Sequence, residues 1–210
     1  MLATLALFFQ ILLPATFASN VEISDDFTKE EKAFVERIRA RAWDLILQES
    51  VERCTLRRRN KWLYSQVVLD LYLGFNNDGS FFSRNMSALR DASNKGTFPD
   101  MLIQGYYAKD YTWALGDLNL VQTFSTGPKG KFVIQLNRYH LDEGDVLGWA
   151  SVVGHEMLHN MGHLHPRLED DANAYNNDLE INAYQSCIKS EGSAPTNHFA
   201  LTYRCGGRTR

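Results

Sequence analysis

At 210 residues, with 44% of them hydrophobic, the chain is long enough for one domain with a substantial core plus an extension. A net charge of −3, with Lys and Arg nearly balancing Asp and Glu, suggests neither a nucleic-acid partner nor attraction to an anionic membrane. There is no internal repeat and no low-complexity linker, which sets aside solenoid and multi-domain arrangements.

Residues 1–18 are apolar, carry no charge and end in small residues before Ser19 and Asn20, as in a secretory signal peptide cleaved after Ala18 or Ser19. No basic residue lies near Met1, so an uncleaved membrane anchor is the competing reading. No later stretch reaches the roughly 18 apolar residues that span a bilayer. The mature chain is therefore expected to be soluble, exported and without a membrane partner. Export makes Cys54, Cys187 and Cys205 disulfide candidates, with one left over. Asn85-Met86-Ser87 is a glycosylation sequon if the site is exposed.

Within residues 24–59, Thr28 with Glu31 three residues later forms a capping box, predicting a helix that runs through Leu47. Its apolar side holds Phe34, Ile38, Trp43, Leu45 and Ile46. Beyond Arg57-Arg58-Arg59, the alternation of Val67, Leu69, Leu71 and Leu73 has a strand's period, although residues 62–73 also admit a helix. Asn76-Asn77-Asp78-Gly79 is a turn, and residues 80–93 read as a short helix with Phe82, Met86 and Leu89 on one face. Met101-Leu102-Ile103, Tyr106-Tyr107, residues 118–124 and residues 131–136 are strand-like, with a turn at residues 126–130. Asp145 is a suitable N-cap for a following helix, which Trp149, Val152 and Val153 would pack on the sheet.

That helix carries the chemistry. His155 and His159 stand four apart, so a helix from about Val146 onward projects both imidazoles from one face toward a shared metal ion. Glu156, one step further round, can hold a metal-bound water as general base. Gly162 can take the left-handed turn that ends the helix and sends the chain back toward His165. Three imidazoles at roughly 2.0–2.1 Å leave zinc an open fourth position, as catalytic sites do. His163 sits four after His159, but three ligands at four-residue steps approach from one side, so His163 is read as lying behind the ligands or at the surface.

The pattern His155-Glu156-x-x-His159-x-x-Gly162-x-x-His165 resembles that of the metzincin clan of zinc endopeptidases. The resemblance covers about residues 62–210. It implies an α+β fold in which a twisted mixed sheet packs on helices, with a small irregular C-terminal subdomain and an edge strand bordering the substrate cleft, placed here within residues 118–124. It also implies His155, His159 and His165 as Zn2+ ligands, Glu156 as base and proton shuttle, and a protein or peptide as substrate. The domains are then a signal peptide at 1–18, a helical extension or short pro-segment at 19–59, and a peptidase domain at 60–210. The family's methionine turn is missing, since no Met follows Met161. Phe199-Ala200-Leu201-Thr202-Tyr203 is similar to it, with Leu201 in the Met position, a nearly volume-conserving swap, and Tyr203 able to reach the metal or the oxyanion. Residues 182–187 are a competing turn. Pro166 resembles the serralysin-type subgroup, whose glycine-rich calcium repeats are absent, and Asp170, Asp171 and Asp178 read as a calcium site or a solvated loop.

Two further functional readings stand beside the secreted zinc endopeptidase. One takes Glu180 as third ligand, as in gluzincin zinc peptidases. The other is a secreted, non-catalytic metal-containing binding protein. Arg53-Cys54 is similar to the pair that keeps matrix metalloproteinases latent, so a Cys187–Cys205 bridge would leave Cys54 to cap the metal from a pro-segment cut near Arg57-Arg58-Arg59. The alternative is a permanent extension with Cys54 in a disulfide.

Overall fold

The computed structural model describes residues 20–59, 80–110, 112–116, 131–163 and 180–193. In chain order these hold strand β1 (Val21–Ile23) and helices α1 (Lys29–Ile46), α2 (Glu49–Arg59) and α3 (Ser80–Asn94). Strands β2 (Asp100–Tyr106), β3 (Ala114–Gly116) and β4 (Lys131–Asn137) follow, then a 3-10 turn at Arg138–His140 and helices α4 (Val146–Asn160) and α5 (Glu180–Lys189). The class is α+β, as expected. The sheet is mixed and open, in the order β1-β2-β4-β3, with β1, β2 and β4 parallel and β3 antiparallel along β4. The expected signal peptide, the strand at residues 62–73, the edge strand at residues 118–124 and the turn at residues 126–130 lie outside the described residues.

Helix α1 starts where its capping box sits. Glu31 N–H donates to Thr28 Oγ1 at 3.2 Å and Thr28 N–H to Glu31 Oε2 at 2.6 Å, closing two of the N–H groups a helix start leaves open. The same carboxylate accepts from Arg138 Nε at 3.1 Å, tying the helix start to the end of β4. Burial alone would raise the Glu31 pKa, but the Thr28 N–H and the Arg138 guanidinium outweigh it and hold the carboxyl below its ordinary value of 4.5. The helix expected from the Thr28 capping box through Leu47 is found, and a second helix, α2, follows it. Leu47 leaves helical geometry, Gln48 folds its amide back onto Asp44 O at 2.6 Å, and Gln48 O then accepts from Val51 N–H at 3.1 Å to begin α2. With no Gly or Pro at the break, the sequence carries no mark of it.

Period-2 patterning builds the sheet. Met101 and Ile103 of β2, with Phe132, Ile134 and Leu136 of β4, are fully buried and alternate with half-buried residues. Phe82, Met86 and Leu89 are buried as the helical spacing of α3 requires. Trp43 of α1 meets Phe98 edge-on at 5.8 Å, and Phe98 meets Phe132 of β4 at 6.0 Å, an aromatic run from helix to sheet.

Residues 20–59 share one core with the other described residues. β1, which the sequence reading did not anticipate, extends the sheet by pairing Val21–Ile23 with Met101–Ile103. Helix α1 packs on α4, and α2 on α5. Val35, Ile38, Ala42, Ile46 and Val51 join the same core. A disulfide joins Cys54 to Cys187, which corrects the proposed Cys187–Cys205 pairing with Cys54 free. Arg58, in the run read as a processing site, lies in α2 and donates from Nη1 to Ser186 Oγ of α5.

Two predictions follow from these ties. The bridge closes a sequence separation of 133 residues. Replacing Cys54 and Cys187 together by Ser should therefore remove about 2–4 kcal/mol in a denaturant titration under oxidising conditions. A loss near zero would mean that the bridge does not constrain the unfolded chain. Glu31→Gln should cost about 1 kcal/mol at pH 7. Because folding lowers the Glu31 pKa, its contribution is complete above the unfolded value and is lost as pH falls through the folded one. The gap between variant and wild type should thus close on acidification below about pH 4.5 and stay constant above it.

Candidate metal centre

Helix α4 is capped by Asp145, whose Oδ1 accepts from Gly148 N–H at 2.6 Å. From Trp149 through Asn160 every residue is buried. Two glycines let neighbours close in at the level of the histidines. A β-carbon on Gly154 would run into Ile188 of α5 and come within 3.3 Å of Ile46 of α1 and Tyr184 of α5, so two helices meet α4 beside His155. A β-carbon on Gly116 of β3 would lie 2.5 Å from Glu156 O and 2.9 Å from His159 Cβ, so this strand presses its backbone directly on the turn that bears Glu156 and His159.

His155, Glu156 and His159 come together as the spacing requires. Each offers one ligand atom, all within 4.8 Å of one another, and their exposures are only 1%, 1% and 3%. The imidazole centroids are 5.0 Å apart with the rings inclined at 70°. Two imidazoles bound at about 2.1 Å to one ion at a tetrahedral angle would have centroids about 5 Å apart, so the pair fits a shared metal. His159 Nδ1 lies 2.7 Å from His163 O, a carbonyl that can only accept, so the proton sits on Nδ1 and the ligating lone pair on Nε2. Burial lowers the His159 pKa to about 4, outweighing the bond to His163 O, so the ring is neutral at physiological pH, the form a metal needs.

The helix ends as expected. Gly162 has φ +88°, Gly162 N–H donates to His159 O at 3.0 Å and His163 N–H to Leu158 O at 3.0 Å, which together make a Schellman turn. This turn places the His163 carbonyl under His159. His163 itself is buried, which removes the surface alternative, and its Nε2 lies 3.1 Å from Asn85 Nδ2 of α3, with Phe82 edge-on at 6.0 Å. The sequon asparagine is thus committed to the interior and is no exposed acceptor.

His165, Tyr203, Leu201, Cys205, Asp170, Asp171 and Asp178 lie outside the described residues. Glu180 is the first residue of α5, which packs along α4. Residues 182–187, read as a competing turn, are helical within α5; their apolar members Ala183, Tyr184 and Cys187 are buried, which is the core face of a helix. Sequence reading missed Gly116, Asn85 and Asn160. For Gly116 the glycine in a strand was the available signal, since it marks close backbone approach. The two asparagines carried none.

No family model, curated protein or solved structure matches the chain.

Gly116→Ala should destabilise the fold by roughly 1–3 kcal/mol, because the new methyl meets a helix carbonyl that has nowhere to go. Chemical denaturation measures this, and an unchanged midpoint would mean that β3 does not press on the Glu156 turn.

Proposed function

We propose that the protein is a secreted, zinc-dependent endopeptidase of metzincin-like design. The observation that carries this reading is the buried group of His155, Glu156 and His159, two ligands and a base within one turn of one helix. The Schellman turn at Gly162 supports it, because that turn redirects the chain toward His165, the proposed third ligand. The disulfide and the apolar first eighteen residues support export.

His155 and His159 would hold zinc through imidazole nitrogen, a donor that suits that ion. When bound, zinc would lower the pKa of a ligated water to about 7 and polarise the scissile carbonyl. Glu156 takes the proton of the attacking water as the carbon–oxygen bond forms, then delivers it to the leaving amine nitrogen as the carbon–nitrogen bond breaks. Its burial strengthens that role, since a carboxylate in a low-dielectric setting exchanges protons with the substrate rather than with bulk water. Tyr203 is proposed to stabilise the oxyanion. β3 is the edge of the described sheet, and with Gly116 against the Glu156 turn an extended peptide adding along that edge would bring its backbone to the base.

A second reading, with Glu180 as third ligand, draws on the packing of α5 along α4. Metal content and casein hydrolysis separate the readings. Glu156→Ala should keep about one zinc per chain and lose roughly 10²–10⁴-fold in activity. His165→Ala should lose zinc while Glu180→Ala keeps it. Zinc loss confined to Glu180→Ala would favour the gluzincin arrangement, and zinc binding without any hydrolysis by wild type would favour a non-catalytic binding protein.

A further inference from the structure

We propose that Asn160 is a positioning residue for the metal centre: its carboxamide stands in for a strand partner of β4 and holds the turn that carries Glu156 and His159 against the sheet. The inference rests on the metal reading above and adds to it a residue outside the ligand motif.

Asn160 is the last residue of α4 and has no exposed surface. Its Oδ1 accepts from Val133 N–H at 2.9 Å, and its Nδ2 donates to Val133 O at 3.1 Å and to Glu156 O at 2.9 Å. Along a strand, alternate residues turn their N–H and C=O to the same side. Asn137 of β4 turns toward β3, since its N–H donates to Trp113 O at 2.8 Å. Val133 lies four residues earlier and faces the same way, but the partner that meets its N–H and C=O is Asn160. A side-chain amide, with one acceptor and two donors, can copy both bonds of a strand neighbour and still reach a helix carbonyl.

The three bonds lock one region in register. Glu156 and Asn160 are one helical turn apart, and Nδ2 closes that turn on Glu156 O while anchoring it to β4. Gly116, whose backbone presses on Glu156 and His159, pairs with Ile134, the neighbour of Val133. Base, second ligand and sheet edge are therefore fixed to one another through a single carboxamide. Asp in this place keeps the size and the bond to Val133 N–H but turns an acceptor toward two carbonyl oxygens, and Ala makes none of the bonds.

The test compares wild type, Asn160→Ala and Asn160→Asp with Leu89→Ala, a core deletion in α3. Zinc affinity is measured by competition with a chromophoric chelator, the cobalt-substituted proteins give visible spectra, and thermal midpoints are recorded alongside. Both Asn160 variants should weaken zinc binding by roughly 10–100-fold and alter the cobalt bands. Leu89→Ala should lower the midpoint while leaving affinity and spectrum as in wild type. Asn160 variants that lose midpoint but bind zinc with wild-type affinity and spectrum would reduce the residue to a structural one and overturn the proposal. Amide exchange in wild type gives a readout that needs no variant to fold: Val133 N–H should be protected like Gln135 and Asn137, and rapid exchange there would overturn the tether. Wild type that binds zinc but cleaves no peptide would overturn the peptidase reading alone, whereas normal turnover and zinc binding by Asn160→Ala would overturn this inference alone.

Discussion

A helix segment buried on every side needs partners inside the protein for its polar groups, and α4 from Trp149 to Asn160 is such a segment. Apolar residues satisfy this by packing, as Trp149, Val152, Val153, Met157 and Leu158 do. His155, Glu156, His159 and Asn160 cannot. A buried carboxylate between two imidazoles is costly unless charge and hydrogen bonds compensate it, and a divalent ion held by the group would supply that charge. Asn160 meets the demand with β4, and His159 with the carbonyl that the Gly162 turn places beneath it. One ligand atom from each of His155, Glu156 and His159 lies within 4.8 Å of the others, so the group could hold a metal ion.

The surrounding elements maintain this arrangement by close approach. Ile46 from α1, with Tyr184 and Ile188 from α5, meet α4 at Gly154, the residue before His155. Tyr184 also donates its hydroxyl to Ile46 O at 2.5 Å, so the C-terminal end of α1 is satisfied by the helix that shares its contact with Gly154. On the other side β3 arrives at Gly116. Gly154 and Gly116 stand where α1, α5 and β3 come against α4, and a β-carbon at either would meet a neighbour within 2.5 Å.

What could be read from the sequence follows the range of each signal. The capping box at Thr28, the cap at Asp145, the strand at Lys131–Asn137, the α3 face and the turn at Gly162 depend on residues within a few positions of one another, and each is found. The pairing of His155, Glu156 and His159 has the same local origin. The misses are long-range. β1 is three residues long and is stabilised by β2, about eighty positions away, so no periodicity could announce it. The Asn85 contact with His163 and the Asn160 bonds to Val133 likewise join segments whose proximity the tertiary fold creates. Cysteine pairing has the same character, since three cysteines allow several connectivities and composition chooses none.

That pairing also bears on the expected capping of a metal by Cys54. A thiolate can cap a metal only if its sulfur is free, and the sulfur of Cys54 is bonded to Cys187. Its neighbour Arg53 pairs with Glu49 on the same helix at 3.0 Å, an exposed i,i+4 pair of little energetic weight. Neither member of the Arg-Cys pair is thus presented to the centre. Removing the segment that holds them would also strip β1 from the sheet and α1 from α4, taking Ile46 away from Gly154 beside His155. Residues 20–59 are built into the core that packs beside His155. Within the described fold they are part of the scaffold around His155, Glu156 and His159.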